Sequence, residues 1–283
     1  MRQHDKREGL LEPGTKLGQY RISDLLGEGG MGHVYRASTA EGETVALKVM
    51  KKQFASSKEY SRRFLHEARA ASEVEHSHLV GVLDFGEALG RQYLAMRYVP
   101  GQTLEQRLER SGPLPIEDVL RLAAEVGSAL DALHEKGLVH RDIKSSNIIL
   151  DPSGSAALTD FGLAKGQGYS TLTRPGQVMG TLDYIAPESI LGKPATPRSD
   201  LYSFGCVVFE CVAGEPPFGG KSIFEVGSAV LGDEPPDPCE KRDDATSEFS
   251  QAVRLALAKE PDARPPTATA YGNLLRAAAN AGR

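Results

Sequence analysis

No run of ~18 apolar residues occurs along the chain, so a helical membrane span is not expected. Cysteine is scarce: Cys206, Cys211 and Cys239 share no Cys-x-x-Cys spacing and leave one thiol unpaired under any disulfide scheme. A disulfide framework is thereby excluded, and a reducing compartment fits best. Neither charge sign is in large excess. The net charge of -5 argues against a general nucleic-acid binder while leaving room for a local basic groove. No internal repeat is visible, and the polar opening from Met1 to Gly9 lacks the apolar core of a secretory signal. The expectation is a soluble, cytoplasmic chain, either entire or a piece of a longer protein.

What remains is an ordinary globular composition, with 40% apolar and 25% charged residues over 283 positions, enough for one large domain or two unequal lobes. Residues 1–19 read as a polar extension ending near Pro13-Gly14. Tyr20–Leu26, His33–Ser38 and Thr44–Met50 are β-prone segments separated by glycines and by Ala40-Glu41-Gly42-Glu43, the pattern of an antiparallel meander. Glu59–Glu75 carries Phe64, Ala68 and Ala71 at helical spacing, and strand character returns over Val80–Phe85 and Gln92–Arg97. After Pro100-Gly101 the pattern turns helical. Ile116, Val119, Leu120, Ala123, Val126, Leu130 and Leu133 mark one stripe of a long helix ended by Gly137. Further helices are expected near Asp200–Ala213, Ile223–Leu231, Glu248–Lys259 and Thr267–Ala278, with Gly232–Ser247 as an exposed connector.

Gly27-Glu28-Gly29-Gly30-Met31-Gly32-His33-Val34 has the G-x-G-x-x-G-x-V form, in which glycines let backbone amides approach phosphate oxygens. A dinucleotide-binding loop would lead into a helix, whereas here Val34-Tyr35 and a turn follow, giving strand, loop, strand. A plain glycine-rich hairpin would read the same. Lys48 lies in the apolar run Val45–Met50 and needs a partner if buried. Glu67 falls on the apolar face of the following helix, close to the direction of Phe64, and is the candidate. A snorkelling lysine and a helix-edge glutamate are the alternative.

His140-Arg141-Asp142-Ile143-Lys144-Ser145-Ser146-Asn147 precedes a strand, the turn Asp151-Pro152-Ser153-Gly154, a second strand Ala156–Leu158 and Asp160-Phe161-Gly162. A hairpin of this kind brings Asn147 and Asp160 together. An amide oxygen beside a carboxylate suits Mg²⁺, which prefers hard oxygen ligands. Asp142 would then be placed to orient an attacking hydroxyl and accept its proton, and Lys144 to neutralise charge on a transferring phosphoryl group. Ordinary turn-forming aspartates in a polar loop are the competing reading.

Taken together, these motifs resemble those of the protein kinase superfamily over Tyr20 to about Ala278. Gly27–Val34 is similar to the glycine-rich loop, Val45–Lys48 to the lysine strand, Glu67 to the αC partner, His140–Asn147 to the catalytic loop, Asp160–Gly162 to the DFG motif and Ala186-Pro187-Glu188 to the APE motif. The resemblance implies an α+β, bilobal fold, with a small antiparallel N-lobe over 20–99 that carries helix αC and a larger, mainly helical C-lobe over 100–283. It implies ATP and Mg²⁺, with Mn²⁺ as a substitute. Nucleotide contacts are implied at Leu26, Gly27, Glu28, Gly29, Gly30, Gly32, Val34, Ala46, Lys48, Met96, Arg97, Val99, Asn147 and Asp160, with metal at Asn147 and Asp160. Catalytic roles fall to Asp142, Lys144, Lys48 and Glu67.

Met96 resembles a gatekeeper, and Arg97 departs from the acid often found at its hinge position. Phe204 stands where many relatives carry tryptophan, a residue absent from the whole chain. By analogy Asp200 and Arg264 resemble structural positions, with Arg264 expected to pair with Glu188. Lys144, with Gly180-Thr181, resembles the serine/threonine branch, and the wording of the glycine loop its bacterial members. Thr181 is then expected to bond Asp142 and Lys144. Ser170, Thr171 and Thr173 lie in the region resembling an activation loop, with the two threonines the expected autophosphorylation sites in a transient homodimer. Protein hydroxyls are the implied acceptors. The alternative is a pseudokinase scaffold, although Lys48, Asp142, Asn147 and Asp160 are all retained.

Overall fold

Alternating buried and exposed residues over Tyr20–Glu28 (β2) place Tyr20 and Ile22 on a core face. That strand belongs to a six-stranded antiparallel sheet in the order β1-β2-β3-β4-β6-β5, with β1 at Lys16–Leu17, β3 at Gly32–Ser38, β4 at Thr44–Met50, β5 at Val82–Ala88 and β6 at Arg91–Arg97. The structure is a computed structural model and describes residues 10–30, 32–52, 58–160, 182–220 and 222–281. Residues before Tyr20, expected as a polar extension, include β1, and Leu10 and Leu11 pack on the core of Tyr35, Leu47, Val49 and Tyr93. The β5–β6 turn has both Leu89 (φ 53°) and Gly90 (φ 65°) in the left-handed region, as a tight hairpin of this hand requires. Helix α1, Lys58–Ser72, buries Phe64, Ala68 and Ala71 and packs against β5.

Two compact units divide the chain: one holds the described residues up to Glu75 with Val80–Val99, the other His76–Leu79 and the described residues from Pro100 onward. The four residues His76–Leu79 join the second unit because the Leu158 amide donates to the His78 carbonyl at 2.8 Å and Leu79 forms a bridge to Leu158.

The second unit is mainly helical. Gln102–Thr103 (β7), Ile148–Leu150 (β8) and Ala156–Leu158 (β9) form a three-stranded sheet. Helix α2, Leu104–Ser111, starts at a capping box between Thr103 and Gln106. Helix α3, Ile116–Glu135, buries the expected stripe from Val119 to Leu133, while Ile116 is only half-buried. The short α4, Pro187–Ile190, is followed by α5, Pro197–Ala213, α6, Ile223–Gly232, α7, Ser247–Leu255, and α8, Ala268–Ala281. Helix α5 is buried almost throughout, and Phe204 packs edge-on against Tyr271 with ring centroids 6.0 Å apart, so phenylalanine fills this position without a tryptophan.

Two expectations are corrected. The connector Gly232–Ser247 is not simply exposed: Pro235, Pro238 and Cys239 are buried. Asp237 accepts from Ser250 Oγ at 2.6 Å, and Arg242 donates to the Leu114 carbonyl at 2.7 Å. Helix α7 ends at Leu255 rather than Lys259: the Leu257 amide turns back to the Arg254 carbonyl, three residues away, at 2.9 Å, and the Ala258 and Lys259 carbonyls beyond it are bonded by the Arg264 guanidinium at 2.8 and 3.1 Å.

Candidate active site

In the first unit the pairing register gathers several of the expected nucleotide contacts on one sheet face. Val34 pairs with Lys48, Lys48 with Leu94, and Ala46 with Met96, so Val34, Ala46, Lys48 and Met96 share a face opposite the core of Tyr35, Leu47 and Val49. Met96 is buried and Lys48 half-buried. Gly27 pairs with Val34, and the Gly29 amide donates to the Gly32 carbonyl at 2.8 Å, drawing the loop tip closed. The glycines differ in purpose: a Cβ at Gly27 would meet nothing, whereas one at Gly32 would collide with the Val49 carbonyl oxygen. Leu26 and Glu28 are exposed, and Glu67 is half-buried on α1 between Phe64 and Ala68. Near Val99 the Arg97 amide already donates to the Gly81 carbonyl at 2.9 Å, and its side chain is exposed. Within the expected hinge, a further backbone donor must come from beyond Arg97.

In the second unit the catalytic-loop residues are held by a buried carboxylate. Asp200, 2% exposed at the start of α5, accepts from the His140 amide at 2.7 Å, the Arg141 amide at 2.8 Å and His134 Nε2 at 2.8 Å. These bonds hold Arg141 at φ 64°, a conformation that costs a non-glycine residue about 1–3 kcal/mol and persists only where the surroundings impose it. His140 is buried; the Asp142 amide donates to its Nδ1 at 3.3 Å, which leaves Nε2 to donate to the Thr159 carbonyl at 3.0 Å. Burial holds its pKa below the ordinary imidazole value, despite the charges of Asp200 and Asp142.

The β8–β9 register runs from Ile148–Leu158 to Leu150–Ala156, and the Thr159 amide donates to the Asn147 carbonyl at 2.9 Å. Thr159, not Asp160, therefore stands opposite Asn147, and Asp160 follows as the next residue, in the left-handed region at φ 61°. Asn147 gives both amide hydrogens to Asp142, to the carbonyl at 2.7 Å and to Oδ2 at 3.1 Å. Its acceptor end is Oδ1. Lys144 Nζ lies 3.4 Å from the same Asp142 Oδ2. A carbonyl oxygen from Asn147 and a carboxylate from Asp160 are a donor set suited to a hard divalent cation.

Arg264 and Glu188 form the expected pair, with two parallel bonds of 2.8 Å, and Ser199 Oγ donates to Glu188 at 2.8 Å. Sequence reasoning missed a second buried cluster made by Ser145, Tyr184 and Glu210. Its signal was present: Glu210 is the lone acid in the apolar run Val207–Val212. Met31, Phe161, Gly162, Ser170, Thr171, Thr173, Gly180 and Thr181 lie outside the described residues.

Comparison with known proteins agrees with this geometry. The protein kinase domain profile matches residues 20–273. The serine/threonine-protein kinase PknA of Mycobacterium tuberculosis is 38% identical over 275 residues, covering 95% of this chain and 63% of PknA. PknE of the same organism is 38% identical over 252 residues, covering 89% of this chain and 44% of PknE. The chain thus spans under two-thirds of the length of these relatives. The crystal structure of the M. tuberculosis PknI kinase domain superposes with a TM-score of 0.78 at 29% identity, covering 96% of this chain and all of that one. With the profile spanning nearly its whole length, this chain belongs to the protein kinase domain family.

Proposed function

We propose that this chain is a serine/threonine protein kinase domain that transfers the γ-phosphoryl group of ATP to hydroxyls of proteins. The observation that carries the reading is the Asp142 carboxylate, tied through Oδ2 to both Asn147 and Lys144 within one turn. Asp142 orients the acceptor hydroxyl and takes its proton, and Lys144 offsets charge as the phosphoryl group passes. Asn147 Oδ1 and the Asp160 carboxylate would hold Mg²⁺, or Mn²⁺ in its place. When bound, such a metal supplies charge neutralisation at the phosphate oxygens. Lys48, with Glu67 as its partner, positions the α- and β-phosphates, and the loop from Gly27 to Gly32 offers backbone amides to them. Leu26, Val34, Ala46 and Met96 bound the adenine, with backbone hydrogen bonds from the stretch Arg97–Val99.

The kinase domain spans about 20–278, with lobes 20–99 and 100–283. It works in the cytoplasm, where ATP is available, as a single domain or as part of a longer membrane-anchored protein. Among the described residues, no helix is long and apolar enough to cross a membrane. Thr171 and Thr173 are the proposed autophosphorylation sites, placed in a transient homodimer, and a phosphate there would pair with the Arg141 guanidinium next to Asp142.

Metal dependence tests the assignment of Asp160. Transfer of phosphate to a generic protein acceptor should require Mg²⁺ or Mn²⁺, stop with a chelator, and fall about 10²-fold or more in Asp160→Asn at equal ATP. Undiminished transfer in the variant would remove Asp160 from the metal site.

A further inference from the structure

Three oxygen-bearing side chains from different segments meet inside the second unit. Ser145 sits in the 3₁₀ turn Ser145–Asn147, which carries Asn147. Tyr184 closes the 3₁₀ turn Leu182–Tyr184, just ahead of Ala186-Pro187-Glu188. Glu210 is on α5, buried with 7% exposure. The three contacts form a closed triangle: Ser145 Oγ to Tyr184 OH at 2.9 Å, Tyr184 OH to Glu210 Oε2 at 2.8 Å, and Ser145 Oγ to Glu210 Oε1 at 3.1 Å.

Each contact of this length needs a hydrogen. The two hydroxyls own one hydrogen each, so an ionised carboxylate would take both and leave two hydroxyl oxygens 2.9 Å apart with none between them. A third proton resolves the count. Placed on Glu210 Oε1 it donates to Ser145, Ser145 donates to Tyr184, and Tyr184 donates to Glu210 Oε2, so every oxygen in the ring donates or accepts in turn.

We propose that Glu210 carries this proton, and that the resulting ring makes Ser145, Tyr184 and Glu210 positioning residues that lock the turn bearing Asn147 to the segment leading into Ala186-Pro187-Glu188. The surroundings agree. Burial raises the Glu210 pKa most, the Tyr184 and Ser145 hydroxyls lower it, and the carboxylates of Glu105 on α2 and Asp183 beside Tyr184 raise it, to about 7. Lys144, 3.4 Å from Asp142, also acts on Glu105. Helix α5, which carries Glu210, also contributes the thiols of Cys206 and Cys211, both raised by burial, and Arg107 of α2 acts on Cys211. None of the largest influences on Glu210 comes from a cation.

Because the folded pKa lies above the unfolded one, the ring's contribution is complete below the ordinary carboxylate value, shrinks as pH rises from there, and is gone above about 7. The lost proton passes to solvent and the turn bearing Asn147 loosens. The kinetic part of the proposal rests on the kinase reading; the proton on Glu210 does not.

The test has two arms. In protein labelled with ¹³C-glutamate, the Glu210 carboxyl signal, assigned by its disappearance in Glu210→Gln, should be that of a neutral acid at about pH 6 and titrate near 7. An ionised carboxylate at that pH overturns the ring, whether or not the protein is a kinase. In kinetics, Glu210→Ala should lower kcat about tenfold or more, with the ATP KM little changed. Glu210→Gln, whose amide donates to Ser145 and accepts from Tyr184, should recover most of that loss and abolish the fall in kcat through pH ~7. Tyr184→Phe should lose kcat without removing the neutral carboxyl. Full kcat in Glu210→Ala, or a Glu210→Gln variant that keeps the parent's pH profile, overturns the positioning role. Absence of phosphate transfer in the parent enzyme would instead count against the kinase reading.

Discussion

Asp142→Asn is expected to reduce kcat for phosphate transfer by about 10²- to 10⁴-fold, the span attributable to one positioned general base. The substitution keeps the shape of the side chain and its neighbours Asn147 and Lys144, which stand 3.1 and 3.4 Å from Oδ2 in the parent. What it removes is the ability to accept a proton. The loop itself is fixed from elsewhere, by the Asp200 carboxylate on the His140 and Arg141 amides at 2.7 and 2.8 Å. Thermal stability should therefore barely move, and the ATP KM should stay within a few-fold of the parent's, since the proposed nucleotide contacts lie on other residues. Steady-state kinetics with calorimetry of the same sample checks this. A variant with parental kcat would show that Asp142 is not the base.

The second large effect is on stability. Arg264→Ala is expected to cost about 3–5 kcal/mol, because removing one partner of a buried pair leaves the other charge unpaired. Arg264 and Glu188 are 3% and 6% exposed. The guanidinium makes two bonds of 2.8 Å to the carboxylate and also donates to the carbonyls of Arg198 at 2.7 Å, Ala258 at 2.8 Å and Lys259 at 3.1 Å. One substitution thus leaves the Glu188 charge unpaired and takes a donor from three carbonyls, of which those of Ala258 and Lys259 lie outside any helix. A fall in Tm of about 10 °C follows for a domain of this size. Arg264→Lys should recover only part of it, since an ammonium cannot reproduce the fork. The pH dependence carries the same signature. Burial alone would raise the Glu188 carboxyl, but the Arg264 bond and charge outweigh it and hold the group below its ordinary value. Its stabilising contribution is therefore present above the ordinary carboxylate range and lost as pH falls through the lowered value. Thermal unfolding across acid pH should show that loss in the parent and not in Arg264→Ala. A Tm change of a degree or two would contradict the argument.

Much of this fold was legible because local patterns and tertiary packing agree. The strands from Tyr20 to Met50 alternate over Tyr20–Ser23 and most of Thr44–Met50, and Val119 to Leu133 mark a single buried stripe, so periodicity located them to within a residue or two. Helix α2 escaped because Glu105, Arg107, Glu109 and Arg110 dominate its eight residues and only Leu104 and Leu108 are buried. Its signal is the Thr103–Gln106 capping box rather than periodicity. Beyond the end of α7 the Ala258 and Lys259 carbonyls are bonded by Arg264, a pairing between a loop and a downstream side chain that periodicity does not reveal. The burial of Cys239 rests on Asp237 and Arg242 reaching distant partners, an effect of tertiary hydrogen bonds on a segment whose composition reads as solvent-exposed.

At the site, motif spacing found the residues but not the full arrangement. Asp142, Lys144 and Asn147 converge because they share a stretch of six residues closed by the Asn147 side-chain amide on the Asp142 carbonyl and carboxylate, and the spacing announces that. The one-residue offset that sets Thr159 opposite Asn147 follows from hairpin register, which turn composition alone does not fix. The support beneath them is harder to read. Asp200 is 58 residues beyond Asp142 in sequence, and its two backbone bonds exist only in the folded chain.

The most direct measurement is incubation of the purified protein with Mg-ATP, followed by mass spectrometry for added phosphate, with Lys48→Met treated identically. Lys48 lies at the centre of the sheet, paired in register with Val34 and Leu94, and is assigned only to the phosphates of the nucleotide. The account predicts phosphate on serine or threonine of the parent, Thr171 and Thr173 foremost, and none on the folded variant. A parent that binds nucleotide but gains no phosphate, or a variant phosphorylated as fully as the parent, would contradict it.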